Sequence, residues 1–237
     1  MAQDQIKYVL MDIEGTTTPI TFVHEVLFPY SAKHLPEYVR AHADEAEVKK
    51  AIADTKKTVA DESAASLDDS GAVAQLLRWI KEDRKHPALK SLQGMIWRHG
   101  YESGAYEGSI YADVKPALAA WQAAGRKLGI YSSGSVGAQK LLFKYTPAGD
   151  LTPYFSNYFD TAVGNKRESG AYGKILSELR LPGGSVVFLS DIVEELDAAK
   201  QSGMRTVQLV RPGTKAGDHH KTASDFQAVD SLLAHLT

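Results

Sequence analysis

Apolar positions along the chain fall into two textures. Short runs that end abruptly in small or polar residues occur at 7–11 (KYVLM), 127–131, 186–189 and 206–210. Runs this short, apolar on consecutive positions, predict strands buried on both faces, as in a parallel sheet covered by helices. Between them lie segments with helical spacing. Val114 to Ala124 reads as a helix with Gly125 as its C-cap, a helix carrying Leu141 and Leu142 follows the second strand, and further helices are expected at 168–181, 193–203 and 226–235. A short strand is placed near 159–163, Thr206 to Val210 is taken as the last strand, and the polar stretch from Gly213 to Asp225 is taken as loop. Strand–helix alternation of this kind predicts βαβ units.

The second texture occupies residues 21–108. Arg40 to Ala65 is rich in Ala, Lys and Glu, all good helix formers. Gly71 to Asp83 carries Leu76, Leu77 and Ile80 at helical spacing, and Leu92, Met95 and Ile96 repeat it. The expectation is an α/β core at 1–20 and 109–237, interrupted after its first strand by a helical lobe at 21–108.

Composition narrows the function. With 43% apolar residues in 237, the chain can bury a real core. Its 27 basic and 29 acidic residues give a net charge of -2, with no broad basic field, so nucleic acid is not an expected partner. There is no cysteine, which removes thiolate nucleophiles, disulfides and Cys-based metal sites. The first residues do not read as a signal peptide, and no stretch approaches the roughly 20 apolar residues of a membrane span. A soluble, cytoplasmic protein is expected.

Ligands of open α/β sheets bind at the carboxyl ends of the strands. The residues there are Asp12 and Glu14 after the first strand, Ser132 and Ser133 after the second, Lys166 after the next and Asp191 after the fourth. Taken singly each has a bland reading: Asp12 as a turn former, Lys166 as a surface lysine, Asp191 as a helix cap. As an ordered set they suit phosphoryl transfer. A carboxylate can attack phosphorus and form an acyl-phosphate. Mg²⁺ bound by Asp12, Asp191 and the Glu14 carbonyl would offset charge repulsion. Lys166 and Ser132 would hold phosphoryl oxygens, with the backbone N–H groups of Ser133 and Gly134 as further donors. Glu14 would exchange protons with the leaving group and with water.

The stretch DIEGT at 12–16, with Ser132, Lys166 and the acidic Ser190-Asp191 (Glu195 and Asp197 nearby), resembles the four motifs of the haloacid dehalogenase-like phosphatases. Glu14 stands where that superfamily usually has Asp. DIEGTTTPITFVHEVLFPY, IYSSGSVGAQKLLF, GNKRES and IWRHGYESGAYEGSIYADVKPAL together resemble one branch, the enolase-phosphatases of methionine salvage. The resemblance implies a Rossmann-like parallel core with an inserted helical cap, a Mg²⁺ cofactor, a monomer, and a small phosphorylated diketone substrate. That substrate, 2,3-diketo-5-methylthiopentyl-1-phosphate, would be enolised and then dephosphorylated to an acireductone. Glu14, Glu25 and His24 are candidates for the enolising base. Trp97, Tyr101, Tyr106 and Tyr111 are candidates for shielding the site, with helical packing as their plainer role. Segments 16–21 and 108–114 would be hinges. A phosphatase for another monoester, a metal-free dehalogenase and a non-catalytic scaffold are the competing readings.

Overall fold

The computed structural model describes residues 5–233. The chain divides into two compact units. One extends to Phe22 and resumes at Glu107; the other is Val23–Tyr106.

In chain order, β1 (Tyr8–Met11) leads to a single turn α1 (Ile20–Phe22), which passes into a π-helical turn, Val23–Leu27. The helices α2 (Phe28–Ala41), α3 (Ala46–Ser63), α4 (Asp69–Lys81) and α5 (Pro87–Glu102) follow. The chain then runs α6 (Val114–Ala123), β2 (Lys127–Tyr131), α7 (Val136–Lys144), β3 (Asn157–Phe159) and α8 (Ser169–Leu179). It ends with β4 (Val186–Ser190), α9 (Val193–Gln201), β5 (Arg205–Leu209), β6 (Lys221–Ala223) and α10 (Phe226–Leu233).

The six strands form one sheet in the order β3-β2-β1-β4-β5-β6, and every pairing is parallel. β1 is fully buried along its length, as its apolar run requires. Tyr8 and Leu10 share a core with Val186, Phe188, the α8 residues Tyr172 and Ile175, and Leu196 of α9. Val9 and Met11 alternate to the opposite face and are equally inaccessible, so both faces are covered. Gly129 on β2 leaves room for the Tyr8 ring: a Cβ there would lie 2.1 Å from its hydroxyl, which instead donates to Asn157 Oδ1 at 3.0 Å.

Two sequence expectations are corrected. The third strand lies at 157–159, not 159–163, because the Asp160 carboxylate accepts from Ala162 N and turns the chain there. The final strand is β6, inside the stretch expected to be loop; three residues of polar sequence at a sheet edge leave no periodic signal. The terminal helix is described to Leu233, and the expected residues 234–235 lie outside the described range.

The Val23–Tyr106 unit has a core of its own, built from Leu35 and Val39 of α2, Val48 and Ile52 of α3, Leu76 and Trp79 of α4, and Leu92 and Ile96 of α5. Its helix starts are capped locally. Asp68 accepts from Gly71 N at 2.7 Å to open α4, and His86 Nδ1 accepts from Ala88 N at 3.2 Å ahead of Pro87. The aromatic candidates within it pack on their own unit. Trp97 Nε1 donates to Leu27 O at 2.8 Å, and Tyr106 lies edge-on to Tyr30 and Tyr101. Glu25 and His24 lie exposed on the π-helical turn, with His24 edge-on to Phe28.

Candidate active site

The strand order reverses at β1. The chain moves outward through β2 and β3, then returns to add β4 on the other side of β1. A crevice outside the carboxyl ends of β1 and β4 is where such a sheet binds ligands. Asp12 stands at the end of β1, its N–H donating to Leu189 O at 2.9 Å, and Asp191 follows β4.

Lys166 reaches this edge from the turn before α8. Two tyrosines pin that turn: Tyr172 donates to Lys166 O at 2.7 Å and Tyr131 to Gly164 O at 3.1 Å. Lys166 is 5% exposed, and its ammonium bridges two carboxylates, Asp12 Oδ1 at 2.5 Å and Glu195 Oε2 at 2.6 Å. Burial works against the lysine's charge, but Asp12 and Glu195 outweigh it and hold its pKa above the ordinary value. Glu195, in the first turn of α9, also accepts from Ser190 Oγ at 3.0 Å.

Asp12, Lys166 and Glu195 are therefore in direct contact. Glu195 was noted in the sequence only as a neighbour of the fourth motif. The available signal was its place four residues after Asp191 in the first turn of a helix, which turns it back toward the strand ends.

Asp191 is buried, and its Oδ1 has no hydrogen-bond partner. Burial and the Asp12 charge push its carboxyl up to about 7. Burial and Asp12 also raise Glu195. Two buried carboxylates thus share one lysine, and a third, Asp191, is close enough to feel their charges. Gly15, with φ +69°, packs against Asp191 so closely that a Cβ would lie 2.5 Å from the carboxylate. Excess negative charge and an unpartnered oxygen make a donor set that fits a hard divalent cation.

The other expected residues lie on neighbouring segments. Glu14 is half-buried, and its backbone bridges to Thr18 in the turn after β1. Ser132 is buried just beyond β2, with its N–H on Phe159 O at 3.2 Å; Ser133 is half-buried beside it. Gly134 N, expected as an anion donor, instead donates to Ser132 Oγ at 3.2 Å. Ser135 caps α7 by accepting from Ala138 N.

Arg211 lies in the turn after β5, where Thr214 N donates to its carbonyl at 3.0 Å. It is buried, forms a two-toothed pair with Asp113 at 2.7 and 3.0 Å, and donates to Thr16 O from Nε and Nη2. It thereby ties down the turn that follows Asp12. Nothing in its local sequence marked this role, because its partners are remote along the chain.

The model of the haloacid dehalogenase-like hydrolases matches residues 6–203. Enolase-phosphatase E1 of Pseudomonas aeruginosa (strain UCBPP-PA14) is 50% identical over 221 residues, 93% of this chain and 96% of that protein. The chain belongs to the enolase-phosphatase branch of the haloacid dehalogenase-like hydrolases. Enolase-phosphatase E1 of a Picosynechococcus strain is 48% identical over 96% of this chain and 99% of its own length. The crystal structure of the UTR4 protein of Saccharomyces cerevisiae, 35% identical, superposes with a TM-score of 0.76 over 94% of this chain and 99% of that one. Family membership agrees with the fold and with acidic and basic groups meeting at the strand ends. Among the described residues no helix is long and apolar enough to cross a membrane.

Proposed function

We propose that this chain is a Mg²⁺-dependent enolase-phosphatase acting on 2,3-diketo-5-methylthiopentyl-1-phosphate. It enolises the diketone and then removes phosphate, giving the acireductone 1,2-dihydroxy-3-keto-5-methylthiopentene. The observation that carries the reading is the buried Lys166 ammonium between Asp12 and Glu195, beside an Asp191 oxygen that lacks a partner.

In this reading Asp12 is the nucleophile. One of its oxygens attacks phosphorus, the bond from phosphorus to the substrate oxygen breaks, and an aspartyl-phosphate forms. Glu14 gives a proton to the departing oxygen and later takes one from the water that hydrolyses the acyl-phosphate. Lys166 and Ser132 hold phosphoryl oxygens, and Ser133 supports the same anion. Glu195 keeps the ammonium charged and fixed, so that little reorganisation is needed as charge develops. Asp12, Asp191 and the Glu14 carbonyl would hold Mg²⁺, which supplies charge neutralisation for the phosphoryl group. For the first step Glu14 is the preferred base. The Val23–Tyr106 unit is taken as the family's inserted cap, and the protein as a cytoplasmic monomer.

The test follows purified protein with the diketo phosphate, with and without Mg²⁺. Ultraviolet absorbance reports the enol and a parallel assay reports phosphate. Both signals, each requiring Mg²⁺, support the assignment. Phosphate release from simple monoesters with no enol would leave an ordinary phosphatase.

A further inference from the structure

A second cluster of metal-ligating side chains lies on the sheet unit, built from residues the phosphatase chemistry does not use. Asp197 on α9, His219 and His220 each present one ligand atom, and these three atoms lie within 4.8 Å of one another. The two imidazoles converge on one carboxylate oxygen: His219 Nε2 is 2.7 Å and His220 Nε2 3.1 Å from Asp197 Oδ1. The fold fixes this convergence. Val207 of β5 pairs with Lys221 of β6, so Thr206 lies beside His220. Thr206 Oγ1 and His220 Nδ1 are 2.9 Å apart, which orients the ring and leaves Nε2 facing Asp197. The His220 side chain is 1% exposed. The outer nitrogen of His219 is held in turn by Asp218 Oδ1 at 2.8 Å.

From this geometry we propose that Asp197, His219 and His220 form a binding site for a zinc-class divalent ion, separate from the Mg²⁺ chemistry at Asp12. Two neutral imidazoles and one carboxylate suit a borderline transition ion, whereas Mg²⁺ prefers oxygen donors. Ligand bonds of 2.0–2.1 Å in a tetrahedral shell place donors about 3.3 Å apart, close to the spacing already present. Each histidine has its second nitrogen engaged by a hydroxyl or carboxylate, the arrangement that sets the tautomer of ligating histidines. Three protein ligands leave a fourth position for water, which fits the half-exposed face of His219. Cys-based zinc sites were excluded by composition; a histidine–carboxylate set was not.

The consequence is a clip. Asp197 stands two residues after Glu195 on the same helix, while His219 and His220 end the segment that begins with Arg211. An ion here would fasten that segment to α9 and stabilise the folded chain by mass action.

The experiment uses the full chain in excess Mg²⁺, so that the oxygen-rich crevice does not compete for the probe, and titrates Zn²⁺ against a chromophoric chelator. Wild type should retain one equivalent. His219→Ala, which removes an exposed side chain, and Asp197→Asn should each weaken retention at least about tenfold, since even the loss of a supporting partner costs 10–100-fold. Co²⁺ in place of Zn²⁺ should give visible bands in wild type and not in His219→Ala. Thermal melting should rise with Zn²⁺ in wild type alone, and phosphatase turnover of His219→Ala, stripped of zinc and returned to excess Mg²⁺, should match that of wild type treated the same way. Absence of retained Zn²⁺ in wild type, or equal retention by wild type and His219→Ala, would overturn the site.

Discussion

Gly15 and Asp191 are packed so tightly that no side chain fits between them: a Cβ on Gly15 would stand 2.5 Å from both Cγ and Oδ2 of Asp191. The glycine also occupies positive φ. Gly15→Ala should therefore displace the Asp191 carboxylate and strain the turn, costing about 1–3 kcal/mol of stability. Half-maximal activity should require more Mg²⁺. A Mg²⁺ titration of turnover, beside a urea melt, checks both expectations.

Asp12→Asn should abolish phosphate release, because an amide cannot form the acyl-phosphate, while the fold persists by circular dichroism. Asp191→Asn should instead weaken Mg²⁺ binding, read by calorimetry. Turnover in the first variant at the wild-type rate would remove Asp12 as nucleophile.

The Lys166–Glu195 pair makes a prediction that separates charge from chemistry. Lys166→Ala leaves two buried carboxylates facing each other and should cost about 3–5 kcal/mol of stability. Turnover should fall by about 10²–10³-fold. Adding Glu195→Gln should recover part of the stability and none of the activity. Chemical melts of the two single variants and the double variant measure that coupling.

Arg211→Lys should fail to replace arginine, since a single ammonium cannot span both Asp113 oxygens and Thr16 O. The expected loss is about 2–3 kcal/mol for the charged hydrogen bonds. Turnover should drop with it, because the turn after Asp12 loses its tether. Calorimetric melting with parallel kinetics would show the two effects together.

His86 gives the Val23–Tyr106 unit an acid sensitivity. Burial and Arg84 lower its pKa from the ordinary 6.5, and its Nδ1 must stay unprotonated to accept from Ala88 N. The unfolded chain then takes up the proton more readily than the folded one, so stability is full above 6.5 and is lost as pH falls through the lowered value. Replacing it (His86→Gln) should flatten that part of the stability–pH curve, read by urea melts between neutral and mildly acid pH.

Most of the sheet was legible because buried parallel strands write themselves as short apolar runs. β1, β2 and β4 fall where those runs predict. β6 was missed since its Lys-Thr-Ala sequence buries one residue in three. Asp12, Lys166 and Asp191 could be chosen because each follows a strand and the set matches known motifs. Glu195 and Arg211 needed the folded chain. Each acts through a partner remote in sequence, Lys166 for the first and Thr16 and Asp113 for the second; the place of Glu195 in the first turn after Asp191 points it at the strand ends but does not name its partner. The aromatic residues of the helical unit were ambiguous for a related reason: one helical spacing serves a packed ring and a ligand-facing ring alike.

The strand order also bears on how the protein is made. β1 is synthesised before its sheet neighbours β2 and β4, which both lie far along the sequence from it. During translation its apolar residues emerge long before either partner exists, while α2 to α5 can already form their own core from local contacts. Closing the sheet must then await pairings distant in sequence, the slow kind. Asp12 meets Lys166 and Glu195 only after that closure. Assembly of the candidate site is consequently a late event in the life of each molecule, and a nascent chain stopped before β4 would carry Asp12 and Lys166 without Asp191 or Glu195.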